Sequence, residues 1–379
     1  MTRNVTIYDL SKAAGVSACC VSWVLRDHPR SREVGVKTRQ RILELAEKMG
    51  YRRNQLASAT RTGQVNTIAV ILDLAKYPSM TPFNQIMAGI MMESSARRQS
   101  VKLFSEDDLE DSFRQIVENR INNVIILSVE PPVREQAAEL AEKYSLNLVF
   151  AYERGHRNFP AVNADNIEMT SKMVHYLAEH GHIRIGLLCV PHRYHYIEDR
   201  HAGYLRGMKE CGLKVDPRWI SCSDEIDPAI RRILSLPARQ RPTALVTLSN
   251  SLAARVEAYA VRNGLRFPQD ISVFGIGDPD ISGVLPFPLT MMRESLLETG
   301  HLLVRLLMKD SVELQPDEFN VYKTHADLTE GESVGVIVSR HKPQSTSLKK
   351  QNTRCKAQDS SKKTQISSNK VKNSTRKGI

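Results

Sequence analysis

The chain begins with two short apolar patterns at helical spacing, separated by a tight turn at residues 14–16. Thr6 and Ser17 precede the two patterns as candidate N-caps, and Gly15 tolerates the positive φ that such a turn often needs. A third amphipathic helix is predicted over residues 38–49, with Ile42 on its apolar face. The spacing is typical of a helix-turn-helix, although an ordinary αα-hairpin has the same pattern.

From residue 66 onward, short apolar runs alternate with amphipathic stretches in two consecutive rounds. Strands are predicted at 67–72, 101–104, 124–127, 147–151, 185–189, 219–222, 244–248 and 271–275, and helices at 83–98, 109–119, 132–143, 167–180, 200–211, 227–234, 251–263 and 294–308. Such alternation builds parallel sheets covered by helices on both faces. Two rounds predict two lobes, with a ligand cleft at the carboxyl ends of their strands.

The charge is concentrated at the two ends of the chain. Residues 1–62 contain 12 Lys and Arg against 5 Asp and Glu, and residues 341–379 contain 11 against 1. The rest is mildly acidic, although the whole chain has a formal net charge of +11. Basic ends on an acidic body favour a nucleic-acid contact at the ends. The C-terminal stretch is predicted to be disordered, serving either as a solubilising tail or as a non-specific phosphate contact.

Several classes of protein are disfavoured by what the sequence lacks. No apolar run is long enough to span a membrane, and no secretion signal is visible, so we expect a cytoplasmic, nucleoid-associated protein. The six cysteines show no CxxC pair and no zinc spacing, which predicts reduced thiols. His192, His195 and His201 fit no regular metal pattern and are expected to be solvated loop residues. No enzyme motif and no cofactor motif is present, so we expect neither catalysis nor a bound cofactor or metal.

Three stretches in collinear order carry a resemblance to a known family. VTIYDLSKAAGVSACCVSWVLRDHPR, AEHGHIRIGLL and FPQDISVFGIGD resemble the LacI/GalR family of bacterial transcriptional regulators, and the likeness spans about residues 5–335. It implies an all-α helix-turn-helix head joined to an α/β two-lobed, periplasmic-binding-protein-like (Rossmann-like) effector body. The implied segments are a DNA-binding head (1–52), a hinge (53–65), an effector-binding and dimerisation body (66–338) and the basic tail (339–379). Lobe 1 is placed at about 66–160 and 290–320, and lobe 2 at about 161–289 and 321–338, with crossings near 159–162, 288–291 and 319–325.

The resemblance assigns base contacts to three positions of the second helix, which are Ala18, Cys19 and Trp23 here. Trp23 stands where the family usually has Arg, and its indole donates one hydrogen bond where Arg can grip a guanine with two. Two orientations of Trp23 are open: it faces the DNA, or it folds back onto the core. Its position on the second helix, away from the apolar face, favours the first. The other predicted DNA contacts are Thr6, Tyr8, Ser17, Ser22, Arg26 and Arg30 in the head, and Asn54, Ala57, Thr60 and Arg61 in the hinge.

The hinge and the cleft both depart from the family's pattern. Thr60 stands where the family has a leucine that pries a base step apart, so a weaker kink or a plain linker is expected. The resemblance predicts an effector site formed by Phe83, Arg200, Ser249, Asn250 and Asp278. Arg200 would grip a sugar hydroxyl or an effector carboxylate. Gly277 replaces one of the family's acids, so the usual sugar-clamping set is incomplete.

These features predict a sequence-specific DNA-binding transcriptional regulator, and a repressor in particular. Its expected partners are a palindromic double-stranded operator, a small-molecule effector for which a carbohydrate-type compound is one candidate, and a second copy of itself, with no membrane partner. The helices at 83–98 and 294–308 are candidate dimer faces, although their apolar positions could equally be core. The alternative is an architectural or non-specific DNA-binding protein that has lost its effector response. A free solute-binding protein would need a signal peptide and no basic head.

Overall fold

A computed structural model of the chain describes residues 5–51, 65–73, 81–277 and 285–337. The head consists of α1 (Ile7–Ala14), α2 (Ala18–Leu25), a 3-10 turn (Pro29–Glu33) and α3 (Val36–Lys48). The Thr6 hydroxyl accepts from the Asp9 amide while the Asp9 carboxylate accepts from the Thr6 amide, which completes a capping box. Gly15 ends α1 with φ 66°, and the Cys20 amide donates to Ser17 Oγ at the start of α2. The predicted helix-turn-helix fold is confirmed.

The core of the head is small and built from all three helices. Leu10, Val21 and Ile42 are fully buried at its centre, and Ala14 and Val24 pack around them. A core of this size has few redundant contacts, so each central side chain supports the whole unit.

The first lobe is built on a parallel sheet in the order β11-β5-β4-β3-β1-β2. Its strands are β1 (Thr67–Ile71), β2 (Ser100–Phe104), β3 (Asn123–Ile126), β4 (Asn147–Ala151), β5 (Ala161–Ala164) and β11 (Val321–Thr324). One face is covered by α4 (Thr81–Ala96) and α11 (Leu296–Leu307), and the other by α5 (Leu109–Glu118) and α6 (Pro131–Lys143). Alternate residues of each strand face the two helical layers, as a doubly covered sheet requires.

The second lobe repeats this design in the order β12-β10-β9-β8-β6-β7, with β12 antiparallel to β10. Its strands are β6 (Ile185–Cys189), β7 (Ile220–Cys222), β8 (Ala244–Thr247), β9 (Ser272–Ile276), β10 (Thr290–Glu294) and β12 (Ala326–Thr329). The helices α7 (Asn166–Glu179) and α8 (His195–Glu210) cover one face, and α9 (Ile226–Leu234) and α10 (Asn250–Arg262) cover the other. Within the described ranges, none of the helices is long and apolar enough to cross a lipid bilayer.

The chain passes between the lobes later than the sequence predicted. β5 and β11 pair within the first sheet and β10 within the second, so the passages fall near residues 165, 295 and 325. The predicted bounds at 159–162 and 288–291 were therefore wrong by about one strand each. β5 reads AVNA, which is too short to show strand periodicity, and it is defined by its pairing with β4 and β11. The predicted hinge and basic tail lie essentially outside the described residues.

The two helices proposed as dimer faces pack against each other inside the first lobe. A Cβ added at Gly89 of α4 would overlap the backbone of Leu297 in α11, and one at Gly300 would overlap the backbone of Ile86. The helices therefore approach so closely that only glycine fits at the crossing. Beside it, burial opposes the charge of Glu93, but hydrogen bonds from Arg97, His301 and Arg305 prevail and lower the pKa of Glu93 to about 2. Most of the apolar positions of α4 and α11 therefore belong to the core of the first lobe, as the alternative interpretation predicted.

His182 anchors the last described segment to the second lobe. Its Nε2 donates to the carbonyl oxygen of Gly335, and its Nδ1 lies 3.0 Å from the hydroxyl oxygen of Thr243. Burial lowers the pKa of His182 to about 4, with a smaller contribution from His180. The ring is therefore neutral in the folded protein at neutral pH.

This histidine should make the second lobe sensitive to mild acid. An unfolded histidine has a pKa of about 6.5. Below that pH the histidine of the unfolded chain binds a proton, whereas His182 of the folded chain stays neutral. The stabilisation from neutral His182 is complete above about pH 6.5 and is lost as the pH falls toward 4, at most about 3 kcal/mol. Urea unfolding at pH 7 and pH 5 should show this loss in the wild-type chain and a smaller loss in His182→Asn. His195→Asn, at an exposed ring, is the control. An unchanged pH dependence in His182→Asn would refute the assignment.

Candidate DNA-binding face and interlobe cleft

Trp23 lies on the side of α2 that faces away from the core of the head. It is half-buried and is not a member of the apolar cluster formed by the described head residues. Its ring stacks on His28 with centroids 6.3 Å apart, and the guanidinium carbon of Arg30 lies 5.5 Å from the ring centroid. The placement agrees with the helical phase and not with a side chain folded back onto the core. A cation held over the indole also orients the ring.

The other predicted head contacts are at least partly exposed on the surface of the head. Thr6, Tyr8, Ser17, Cys19 and Arg30 are exposed, and Ala18, Ser22 and Arg26 are half-buried. Tyr8 is 73% exposed. The guanidinium Nε of Arg26 donates to the carbonyl oxygen of Ser22, which holds the cation close to the helix. The four hinge candidates Asn54, Ala57, Thr60 and Arg61 lie outside the described residues.

The cleft is built around a buried ion pair between Arg200 of α8 and Glu294 at the end of β10. Arg200 Nη2 donates to Glu294 Oε1 at 2.8 Å, and both side chains are only 3% exposed. The Tyr152 hydroxyl, at the end of β4 in the first lobe, donates to Glu294 Oε2 at 2.9 Å and accepts from Arg200 at 3.2 Å. Arg200 Nε donates to Asn166 Oδ1, and Arg200 Nη1 donates to the carbonyl oxygen of Leu248. Four hydrogen bonds to groups of the chain itself therefore hold the guanidinium.

The electrostatics of this junction follow from its burial and its pairing. Burial opposes the charge of Arg200, but Glu294 and then Tyr152 outweigh it, so the pKa of Arg200 lies above its usual value. Burial, followed by the Glu294 carboxylate, raises the pKa of Tyr152 well above its usual value. The tyrosine is thus held neutral as a hydrogen-bond donor, and the arginine is held charged.

Aromatic rings from both lobes meet beside this ion pair. Tyr152 and Tyr196 pack edge to face with centroids 5.1 Å apart, and Tyr194 stacks on Tyr196 at 5.8 Å. The guanidinium carbon of Arg200 lies 5.1 Å from the centroid of the Tyr196 ring. Burial is the main cause that raises the pKa of Tyr196, to about 12. These rings form an aromatic cluster where the two lobes meet, and their raised pKa values keep the hydroxyls neutral.

Three polar contacts tie the start of α8 in the second lobe to the first lobe. The Tyr194 hydroxyl donates to Glu130 Oε1 at 2.8 Å, and the Tyr196 amide donates to Glu153 Oε1 at 3.2 Å. An ion pair joins Arg154 and Asp199 at 2.7 Å. The segment 194–200 is therefore the main connection across the cleft other than the chain crossings themselves, within the described ranges.

Only part of the predicted effector set reaches this centre. Arg200 lies in it, and the Phe83 ring lies 6.1 Å from Tyr152, where it is 5% exposed. Ser249 caps α10 through the Leu252 amide, and Asn250 is buried beside Gly277, where an added Cβ would overlap the Asn250 amide. Asp278 lies outside the described residues. Sequence reasoning missed Tyr152, Asn166, Glu294, Tyr194 and Tyr196. The first three lie at or next to the ends of predicted elements, and the last two lie within six residues of Arg200 in the sequence.

The prediction of reduced thiols is wrong for one pair of cysteines. Cys189 and Cys222 form a disulfide, while Cys19, Cys20 and Cys211 are free among the described residues. The pair is separated by 33 residues and has no recognisable spacing in the sequence. It becomes adjacent only because β6 and β7 pair in parallel with these two residues in register.

Comparison of the chain with protein families identifies two of its domains. Residues 6–54 match the family described as bacterial regulatory proteins, lacI family, and residues 174–334 match a periplasmic binding protein-like domain. The chain therefore carries a lacI-family DNA-binding domain and a periplasmic-binding-protein-like domain, which is the combination of a DNA-binding transcriptional regulator. The members of that family to which the chain is similar are regulators and not enzymes.

Individual relatives match the sequence of this regulator over most of its length. It is 28% identical over 313 residues to the HTH-type transcriptional repressor CytR of Escherichia coli K12, covering 80% of this chain and 89% of the relative. It is 27% identical over 319 residues to the HTH-type transcriptional repressor PurR of Aliivibrio fischeri MJ11, covering 80% and 91%. Among solved structures, a lac repressor dimer bound to operator and an anti-inducer matches with TM-score 0.68 at 20% identity, covering 88% of this chain and 100% of that one. The last likeness shows that the fold is shared.

Proposed function

We propose that this regulator is a repressor that binds a palindromic operator as a homodimer, and that a small molecule in the interlobe cleft sets its affinity for DNA. The observation that carries the proposal is the combination of a capped helix-turn-helix with an exposed polar and aromatic face and a two-lobed body whose cleft is held by Arg200, Glu294 and Tyr152. The repressors among its relatives support the direction of the regulation. The architectural alternative finds no support among those relatives.

The face of α2 favours shape and apolar contacts over hydrogen bonds to bases. Ala18 and Cys19 offer small apolar surfaces suited to a thymine methyl group, and Trp23 contributes one indole donor. Arg26 and Arg30 flank this face with charges suited to phosphates. We infer that phosphate contacts carry a large share of the affinity, so binding should weaken steeply with salt.

The two kinds of contact can be separated by mutation. In a selection from random duplexes, Trp23→Ala should lose preference at its base position. The expected discrimination is about 0.5–1.5 kcal/mol, because the indole makes a single hydrogen bond to a base edge. Arg26→Ala should weaken binding to all duplexes alike and reduce the salt slope by about one. Lys48→Ala, at the far end of α3, is the matched control for loss of a head charge. Unchanged base preference in Trp23→Ala would count against the proposed recognition face.

The chemistry of the cleft favours a neutral, hydroxylated effector of carbohydrate type. The Tyr194 and Tyr196 rings provide faces that a sugar ring can stack on, and the carboxylates of Glu130 and Glu153 lie beside them as acceptors for hydroxyl groups. A ligand carboxylate would have to displace Glu294 from Arg200, where the chain's own carboxylate already sits. Calorimetric titration with neutral sugars and with sugar acids should therefore favour the neutral compounds.

The dimer would use the outer surface of the first lobe. Met91 and Met92 on α4 are 58% and 56% exposed, Leu103 on the edge strand β2 is 49% exposed, and Leu297 on α11 is 42% exposed. Exposed large apolar side chains grouped on neighbouring elements are typical of a protein–protein interface. An interface here would be isologous, as a two-fold operator requires.

A charge on this surface should separate the subunits. Sedimentation of the double variant Met91→Glu/Met92→Glu is expected to show monomers at concentrations where the wild-type chain is dimeric, because two carboxylates would be buried without partners. Operator affinity should fall with it, since paired heads are lost. Val261→Glu, at a 50% exposed position of α10 in the second lobe, is the control and should remain dimeric. A dimer that survives the double variant would place the interface elsewhere.

A further inference from the structure

The carboxyl ends of β6 and β7 bring together side chains that the regulator's proposed function does not use. Cys189 is the last residue of β6 and is fully buried, and its register partner Cys222 is the last residue of β7 and is half-buried. The loops that follow are tied to each other, since the Ser223 amide donates to the Cys189 carbonyl oxygen and Arg193 pairs with Asp224 at 2.7 Å. The two sulfurs are therefore held at one point at the end of the sheet.

His192 completes a cluster at this point, and His201 adjoins it. One ligand atom from each of Cys189, Cys222 and His192 lies within 4.8 Å of the others. His201, on the second turn of α8, faces His192, with Nδ1 2.9 Å from His192 Nε2. The ring centroids lie 4.7 Å apart, so a second imidazole lies directly against the three-residue cluster.

Two thiolates and two imidazoles form a donor set that zinc prefers. Zinc–sulfur and zinc–nitrogen bonds of about 2.0–2.3 Å in a tetrahedron place the ligand atoms about 3.5 Å apart. In the reduced chain the atoms of Cys189, Cys222 and His192, which lie within 4.8 Å of one another, can reach that spacing by side-chain rotation, and His201 can join them from its position beside His192. Hard cations such as Mg²⁺ and Ca²⁺ take oxygen ligands and are not suited to this set.

We propose that the reduced form of this chain binds one Zn²⁺-type ion through Cys189, Cys222, His192 and His201. Binding replaces the two thiol protons, so two protons leave for each ion that enters. The disulfide and the metal-bound form exclude each other because they use the same sulfurs. The site does not depend on the identity of the effector or on the proposed operator.

The position of the cluster would let a bound ion affect the cleft through the chain. His192 precedes Tyr194 and Tyr196 by a few residues, and His201 directly follows Arg200. An ion that fixes both histidines would therefore fix the segment that carries the cross-lobe contacts.

Cobalt is a suitable probe because it reports its own ligands by absorption. The full-length chain, reduced with a phosphine and then freed of it without oxygen, is titrated with Co²⁺ and then with Zn²⁺ in competition. We expect one Co²⁺ per chain with thiolate charge-transfer bands and intense tetrahedral bands, displacement by Zn²⁺, and release of two protons. Cys222→Ser, His192→Ala and His201→Ala should each weaken binding by more than about 100-fold, beyond the 10–100-fold cost of losing an outer-shell partner.

Matched controls separate this cluster from other thiols and histidines. His195→Ala lies in the same segment but pairs with Glu198, and Cys211→Ser removes a thiol that lies 3.4 Å from His175. Both variants should bind Co²⁺ as the wild-type chain does. Because His192 is exposed, His192→Ala keeps the test valid if a cysteine variant fails to fold. Absence of thiolate bands in the reduced chain, or binding that is equal in Cys222→Ser or in both histidine variants, would overturn the proposal.

Discussion

Replacing Glu294 with alanine should destabilise the body by about 3–5 kcal/mol, because it leaves the Arg200 cation buried without its counter-ion. Both side chains are 3% exposed, so water cannot screen the charge that remains. The Tyr152 hydroxyl would lose its acceptor in the same change. Urea denaturation followed by circular dichroism would measure the loss, and effector titration should show a weakened or absent response.

A double-mutant cycle distinguishes the ion pair from a simple loss of packing. Arg200→Met/Glu294→Met removes both charges while keeping most of the volume, and it should recover much of the stability that either single variant loses. Arg255→Met, whose partner Asp227 is 71% exposed, is the control, and it should change stability by less than about 1 kcal/mol. If the double variant is as unstable as the sum of the single variants, the pair is not coupled and this account of the cleft is incorrect.

Leu10→Ala should abolish specific DNA binding while leaving the body folded. Leu10 is fully buried where the three head helices meet, and truncating a buried leucine costs about 2–5 kcal/mol. A head of roughly 50 residues has a total stability of about 2.5–7.5 kcal/mol at the usual value per residue. The substitution therefore removes most of it, and the head should unfold on its own.

Calorimetry and DNA binding together test this expectation. The thermal transition of the two lobes should be unchanged in Leu10→Ala, and affinity for the selected site should fall to the non-specific level. Leu43→Ala truncates the same residue type at a 45% exposed position on α3 and should leave binding within about twofold of wild type, because surface substitutions change stability little. Wild-type affinity in Leu10→Ala would show that the helix-turn-helix is not the part that holds DNA.

The head and eight of the twelve described strands were accessible from the sequence because their signals are local. Thr6, Gly15 and Ser17 mark the helix ends through capping chemistry, and the buried strands appear as continuous apolar runs. The strands β5, β10, β11 and β12 were not predicted. The sequence of β5, AVNA, becomes a strand through its pairing with β4 and β11. The same reason explains why the passages between the lobes were predicted too early.

The cleft could be predicted only in part because its members are distant in the chain. Arg200 could be predicted because the sequence around it resembles the family. Its partner Glu294 lies 94 residues away and is brought to it by the order of strands in the second sheet. The Cys189–Cys222 pair depends in the same way on the register of β6 and β7. Such juxtapositions are properties of the topology and leave no spacing signal in the sequence.

Selection of bound duplexes from a random library, with the full-length chain at physiological salt and with and without neutral sugars, tests the central claim most directly. If the head reads DNA as a pair and the cleft controls it, the selection will enrich a two-fold symmetric site, and at least one sugar will change the affinity for that site. Enrichment of no sequence, or of one without two-fold symmetry, would contradict the account.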